Sequence, residues 1–185
     1  MSSGRWTDIN YEAVPSRANL VYNTAFLRND EDRRREFLGA VKKGEQTIHA
    51  GVLYPHDIVH SYVDTERKPG WWYLNSPDDT LEALWKALPD YVQGNGNTLC
   101  VADGSGSMFS RVGNTKVTCL DVANALAIYF AEHCTGQFRD TYITFSQTPQ
   151  FVDLSKGKTL HDKLEIAMSH NEVSNTNIEA VFSLI

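Results

Sequence analysis

The sequence predicts an α/β protein that consists of a mainly helical region over residues 1–96 and a partial three-layer α/β domain over residues 97–185. Three observations predict this class. Apolar residues in the first part recur at helical spacing between helix-start and helix-stop signals. After residue 97, short apolar segments alternate with helical ones, as in a sheet covered by helices. Between the two parts, the sequence QGNGN at residues 93–97 is rich in turn formers and marks the boundary.

Four predicted helices make up most of the first part. The first covers residues 14–27, and the second begins after Asp30 and ends at Gly44. The third is PHDIVHSYV, and the fourth is TLEALWKALPDYV, for which either Ser76 or Asp78 is the expected cap. The sequence ERKPGWWYLNSPDD, which lies between the third and fourth helices, predicts a loop.

Strands and helices alternate in the second part. The apolar segment TLCVAD predicts a buried strand, and a long helix follows over residues 117–135. Two further strands are predicted in DTYITFS and QFVDLS, and two further helices in TLHDKLEIAM and IEAVFSLI. The polar sequence SHNEVSNTN predicts a loop before the last helix. The order strand, helix, strand, strand, helix favours a sheet that is covered by helices.

The composition predicts a globular, cytoplasmic protein. Apolar residues make up 42% and charged residues 22% of the 185 residues, which excludes a disordered chain. No apolar run could span a bilayer and the N-terminal sequence predicts no secretory signal, so no membrane partner is expected. The net charge of −6 argues against a broad electrostatic contact with nucleic acid. The three cysteines predict reduced thiols rather than a disulfide framework.

The sequence Asp103-Gly104-Ser105-Gly106-Ser107 is the most informative motif, because it directly follows a predicted strand. Ligands in open α/β sheets bind at the carboxyl ends of the strands. The carboxylate and the two hydroxyls are hard oxygen ligands, which suit Mg²⁺, with Mn²⁺ or Ca²⁺ as substitutes. Since only one of these ligands is charged, a bound cation would keep much of its charge and attract an acidic ligand from elsewhere.

This motif resembles the metal-ion-dependent adhesion site of von Willebrand factor A (vWA) domains, which have a Rossmann-like fold. In that family a threonine from a second loop completes the first motif, and Thr176 in Ser174-Asn175-Thr176-Asn177 is the best match. The resemblance implies that Ser105, Ser107 and Thr176 bind the metal through hydroxyls and that Asp103 binds it directly or through water. It implies a non-enzymatic module that binds an exposed Asp or Glu of a protein partner through the metal.

A wider resemblance covers nearly the whole chain. The segments INYEAVPSRA, IHAGVLYPHDIV and DGSGSM, with the charged helix between the first two, resemble an uncharacterised group of plant, fungal, bacterial and viral proteins that join a helical region to a C-terminal vWA domain. This plan is also similar to that of the Ro autoantigen, which binds small RNAs, so RNA binding is one alternative function. Another alternative is an assembly scaffold with a degenerate metal site.

One departure from the vWA pattern concerns the third metal loop, which carries an aspartate in that family. The residue after Phe145-Ser146 is Gln147, not an acid, and no strand after QFVDLS is predicted before Ile185. The expectation is therefore a C-terminally truncated vWA domain with weakened metal affinity, whose strand at residues 98–102 has an uncovered edge. We expect this edge to be covered either by another chain, in an oligomer or a complex, or by residues 1–96 packed over the sheet.

The remaining chemistry-bearing residues have simpler interpretations. The D-x-S-x-S motif could be a capped turn, and no serine lies in a nucleophile-elbow pattern, so no catalytic residue and no organic cofactor are predicted. His56 and His60 lie four residues apart on a predicted helix, but no Glu lies between them in an H-E-x-x-H pattern and no cysteine is close, so surface or packing histidines are predicted. The basic run Arg33-Arg34-Arg35 lies among acidic residues and predicts a solvated helix face. The sequence Trp71-Trp72-Tyr73 predicts an aromatic cluster that packs the loop rather than a surface that stacks on bases.

Overall fold

The computed structural model describes residues 4–64, 72–92 and 97–185, which form helices and two small sheets. In chain order the helices are α1 (Ser16–Val21), α2 (Asn23–Asn29), α3 (Glu31–Lys43), α4 (Pro55–Tyr62), α5 (Asp79–Lys86), α6 (Cys119–His133), α7 (Leu160–Ser169) and α8 (Ile178–Leu184). The strands are β1 (Val63–Asp64), β2 (Tyr73–Leu74), β3 (Cys100–Asp103), β4 (Thr141–Phe145) and β5 (Phe151–Asp153). The predicted mixture of helix and sheet is confirmed.

The chain forms two compact units. The first comprises the described parts of Met1–Tyr54 and Asp78–Pro89, and the second those of Pro55–Pro77 and Asp90–Ile185. Residues 55–64 and 72–77 of the predicted helical region therefore belong to the second unit. The domain boundary at residues 96 and 97 stays a prediction, because a compact unit is not the same as a domain that folds alone. None of the described helices combines the length and the apolar character needed to cross a bilayer.

The first unit is built from α1, α2, α3 and α5. The prediction of one helix over residues 14–27 is wrong, because Tyr22, with φ −102° and ψ 10°, separates α1 from α2. The predicted end of α3 at Gly44 is confirmed. Asp78, not Ser76, caps α5, since its Oδ1 accepts from the backbone nitrogens of Thr80 at 2.8 Å and Leu81 at 3.1 Å. This helix ends at Lys86, six residues before the predicted end at Val92.

The predicted solvated arginine face is wrong for Arg34, which has no exposed surface. Its guanidinium carbon lies 5.1–5.4 Å from three ring centroids, those of Tyr11, Phe26 and Phe37. It donates to Asn19 Oδ1 at 3.1 Å and to Thr80 Oγ1 at 3.5 Å. Burial lowers the pKa of Arg34 to about 10. Because charged residues flank this position in the sequence, local pattern gave no sign of the aromatic surroundings.

The larger sheet of the second unit has the strand order β3-β4-β5. β3 and β4 are parallel, with Asp103 opposite Phe145, while β5 is antiparallel to β4. The carboxyl ends of β3 and β4 therefore lie at one edge of the sheet, and β5 ends at the opposite edge. The long helix α6 connects β3 to β4 and packs on both strands. Among the described residues, β3 pairs with β4 alone, which leaves its other side open.

Residues 55–64 and 72–77 add a helix and a short strand pair to this unit. Helix α4 packs on α6, and β1 pairs antiparallel with β2. The prediction that Tyr73 and Leu74 lie in a loop is thus wrong. Trp72, at 5% exposure, is buried as predicted for the aromatic cluster, whereas Trp71 lies outside the described residues.

Candidate functional site

Three oxygen-bearing side chains meet in the turn that follows β3. Asp103 is the last residue of the strand, and its Oδ1 accepts a hydrogen bond from the Ser105 backbone nitrogen at 2.8 Å. The hydroxyl oxygens of Ser105 and Ser107 lie 3.0 Å apart, with Ser107 exposed to solvent. The turn therefore presents a carboxylate and a pair of hydroxyls at the carboxyl edge of the sheet, where ligands of open α/β sheets bind.

The capped-turn interpretation accounts for only part of this arrangement. Asp103 does accept from a backbone donor, as that interpretation expects. Ser105 precedes the short 3₁₀ turn Gly106–Phe109, but its side chain makes no capping hydrogen bond there. Asp153, at the end of β5, accepts from the Ser155 nitrogen at the same distance of 2.8 Å and so forms the same local turn. What distinguishes the Asp103 turn is the hydroxyl pair.

The loop that carries Thr176 lies against this turn. A Cβ atom at Gly104 would approach Asn171 Oδ1 to 2.6 Å, and one at Gly106 would lie 3.4 Å from Val173 Cγ1. The two glycines therefore allow residues 171–173 to approach the turn closely. Thr176 itself is exposed, and within the described residues no hydrogen bond joins its hydroxyl to Asp103, Ser105 or Ser107.

Ser146 follows β4 at the same edge and has an unusual environment. The residue is 2% exposed, and its hydroxyl has no hydrogen-bond partner among the described residues. Buried hydroxyls are nearly always partnered, so such a group indicates a water or ligand atom nearby. The sequence interpretation assigned Ser146 no role. Its place at the carboxyl end of the predicted strand DTYITFS is the signal that could have identified it.

The donor set at this edge suits a hard cation. It consists of one carboxylate and several neutral hydroxyls, which are the oxygen ligands that Mg²⁺ and Ca²⁺ prefer. Across residues 4–64, 72–92 and 97–185 there is no group of three or more His, Cys, Asp and Glu that could hold a metal. Any cation here would therefore depend mainly on neutral oxygens.

His60 and the arginine run of α3 each make contacts within their own unit. His60 Nδ1 lies 2.9 Å from Oδ2 of the fully buried Asp121, which agrees with the predicted packing role. Arg33 donates to the carbonyl oxygens of Trp6 and Ile9, and Arg35 pairs with Glu31. The arginines of this run therefore form hydrogen bonds within the first unit. All three cysteines are free thiols, as expected. Cys134 is buried, and Cys100 and Cys119 are partly buried.

Comparison with known proteins gives a family. Residues 1–98, just over half of the chain, match the family model described as "Domain of unknown function (DUF2828)". The chain belongs to this family. Residues 97–185 match a second model, "Domain of unknown function (DUF7788)". The two matches meet at the turn-rich segment at residues 93–97.

A viral protein is similar over the whole chain. The chain is 26% identical over 201 residues to an uncharacterized protein of Acanthamoeba polyphaga mimivirus, and the match covers 100% of the chain. The chain spans 32% of the length of that protein. No solved structure matches. The predicted resemblance to an uncharacterised family with viral members is confirmed, and the vWA resemblance stays a prediction.

Proposed function

We propose that this protein is a non-enzymatic binding module that holds a divalent cation at the carboxyl edge of β3 and β4. Asp103, Ser105, Ser107 and Thr176 would hold the cation, which is Mg²⁺ or, as substitutes, Mn²⁺ or Ca²⁺. The observation that carries the proposal is the hydroxyl pair of Ser105 and Ser107, 3.0 Å apart, beside the Asp103 carboxylate. When bound, the cation supplies a Lewis-acidic position for a carboxylate of a protein partner.

The charge balance of the site supports an acidic partner. A single carboxylate neutralises only half of the charge of a divalent cation, and the hydroxyl ligands are neutral. The exposed position of Ser107 leaves the outer side of the turn accessible. An Asp or Glu side chain of a partner would complete both the charge and the coordination.

A vWA-type fold is part of the same proposal. A parallel strand pair joined through α6, with a loop motif at its carboxyl edge, supports it. The further, antiparallel strand β5 forms one side of the sheet, and among the described residues β3 forms the other. In doubly wound sheets the binding crevice lies where the strand order reverses, next to the first strand.

Calorimetric titration of the full chain with MgCl₂ and MnCl₂ tests the metal site. One site is expected, with a dissociation constant on the order of 10⁻⁴–10⁻³ M, because the site holds one charged ligand. Asp103→Ala should abolish binding. Asp153→Ala is the matched control, since it removes the same Asp-to-serine turn at the opposite edge of the sheet. Absence of binding by the unmodified chain, or equal binding by both variants, would contradict the proposal.

The carboxylate step is tested separately by NMR. Addition of an Asp-containing peptide should shift the amide resonances of residues 104–107 in the presence of Mg²⁺ and leave them unchanged after addition of a chelator. Shifts that do not depend on the metal would contradict the proposed role of the cation. Size-exclusion chromatography with and without chelator addresses the scaffold alternative, which a metal-independent oligomer would favour. A salt-sensitive gel shift with structured RNA would favour the RNA alternative.

A further inference from the structure

The loop between α7 and α8, residues 171–177, is attached to the end of β4 on both sides of Thr176. The Gln147 backbone nitrogen donates to Ser174 Oγ at 3.1 Å. The Asn177 nitrogen donates to the Ser146 carbonyl oxygen, also at 3.1 Å. Asn175 and Thr176 are thus exposed residues in a short stretch whose two flanks are held at the edge of the sheet that bears Asp103.

The Ser174 hydroxyl is the side-chain group that takes part in these two contacts; the other groups belong to the backbone. Its hydroxyl accepts from Gln147 and donates to the Asn175 carbonyl oxygen at 3.2 Å. Both hydrogen-bonding functions of the hydroxyl are therefore used to shape the backbone just before Thr176. This hydroxyl therefore links the loop backbone to the backbone of Gln147.

Ser146 gives an independent indication that something binds beneath this loop. Its carbonyl oxygen holds the loop at Asn177, while its own hydroxyl is buried without a partner in the described chain. A bound water on the cation, or the cation itself, would supply the missing partner. The orphaned hydroxyl and the attached loop thus lie at the same strand end.

We infer that Ser174 is a positioning residue that holds Thr176 in place to bind the cation together with Ser105 and Ser107. This inference rests on the proposed function. Residues that orient metal ligands through hydrogen bonds contribute strongly to affinity, and their loss weakens metal binding by about 10–100-fold. Ser174 acts through the loop backbone and not by contact with the cation.

The test is Mn²⁺ binding to the full chain, measured by calorimetry and by the loss of the free-ion electron paramagnetic resonance signal. Ser174→Ala should raise the dissociation constant by about 10-fold or more, and Ser174→Thr, which keeps the hydroxyl, should restore it to near the unmodified value. Ser183→Ala is the matched control, because the Ser183 hydroxyl bonds only to the Glu179 carbonyl oxygen within α8. Thermal unfolding of each variant shows that the fold is retained.

The outcomes separate this inference from the proposed function. If Ser174→Ala binds Mn²⁺ as tightly as the unmodified chain while Asp103→Ala does not bind, the positioning role is overturned and the metal site stands. If Ser174→Thr fails to restore affinity, the hydroxyl is not the responsible group and the inference is also overturned. If the unmodified chain binds no Mn²⁺, both the inference and the proposed function are overturned.

Discussion

Asp121→Ala should strongly destabilise the second unit, because Asp121 of α6 contacts both His60 of α4 and Trp72. The carboxylate is fully buried. Its Oδ1 accepts from Trp72 Nε1 at 3.1 Å. Its Oδ2 accepts from the Thr118 backbone nitrogen at 2.8 Å and lies 2.9 Å from His60 Nδ1. This one carboxylate therefore caps α6, accepts the hydrogen bond of a buried indole and contacts an imidazole.

The expected magnitude follows from these three contacts. Leaving the buried Trp72 N–H without an acceptor costs about 1–3 kcal/mol. Losing the reciprocal cap of α6, in which Thr118 and Asp121 bond to each other's backbone nitrogen, costs about 1 kcal/mol. With the His60 contact added, the free energy of unfolding should fall by about 3–5 kcal/mol, a large share of the stability of a typical domain.

Urea denaturation followed by far-UV circular dichroism measures this change, and α7 offers a matched control. Asp162 forms the same type of reciprocal cap with Thr159, and its other hydrogen-bond donor is the neighbouring Lys158 nitrogen. Asp162→Ala should therefore cost only about 1 kcal/mol. Equal losses for Asp121→Ala and Asp162→Ala would refute the claim that the His60 and Trp72 contacts stabilise the unit.

Three further predictions concern buried polar groups. Arg34→Ala should lower the free energy of unfolding, measured by urea denaturation, by about 3–5 kcal/mol, because it empties the space between three aromatic rings. Arg34→Met fills that space without a buried charge and should lower it by under about 1.5 kcal/mol. Equal losses for the two variants would contradict this prediction. Lys163→Met should lower the free energy of unfolding by about 2–4 kcal/mol, because the lysine is 8% exposed and pairs with Glu132 at 2.8 Å and Asp140 at 3.1 Å. An unchanged free energy of unfolding would show that these ion pairs do not stabilise the fold. Burial raises the pKa of Tyr142 above its usual value of 10, so the stability that depends on its neutral form is fully present below pH 10 and should be lost as pH rises further. In thermal melts, the melting temperature of Tyr142→Phe should fall less steeply at alkaline pH than that of the unmodified chain. An unchanged pH profile would contradict the contribution assigned to Tyr142.

The strands and helices after residue 97 were predictable because their signals are local. An apolar run directly before Asp103 indicates a strand, and Thr159 followed by Asp162 three residues later indicates a capped helix. The same reasoning failed for Arg34, whose neighbours in sequence are charged while its neighbours in space are aromatic. It also divided the chain into successive segments, whereas residues 55–64 and 72–77 belong to the second unit, where Trp72 donates to Asp121.

The candidate site shows the same division. Asp103, Ser105 and Ser107 were identifiable together because a five-residue turn brings them close whatever the rest of the chain does. Thr176 was identified only by resemblance to a known family. The roles inferred for Ser146 and Ser174 could not be read from the sequence, since they depend on hydrogen bonds between segments far apart in the chain.

The sequence by itself determined the helical and strand segments after residue 97, the turn after β3 and the presence of hard oxygen ligands in it. Caps, apolar periodicity and turn residues act over a few positions, so their effect can be read locally. Only the tertiary structure decided that the end of β4 and the loop at residues 171–177 share the edge of the sheet with Asp103. That arrangement follows from the parallel register that puts Asp103 opposite Phe145, and such long-range pairing is set by the packing of the whole unit.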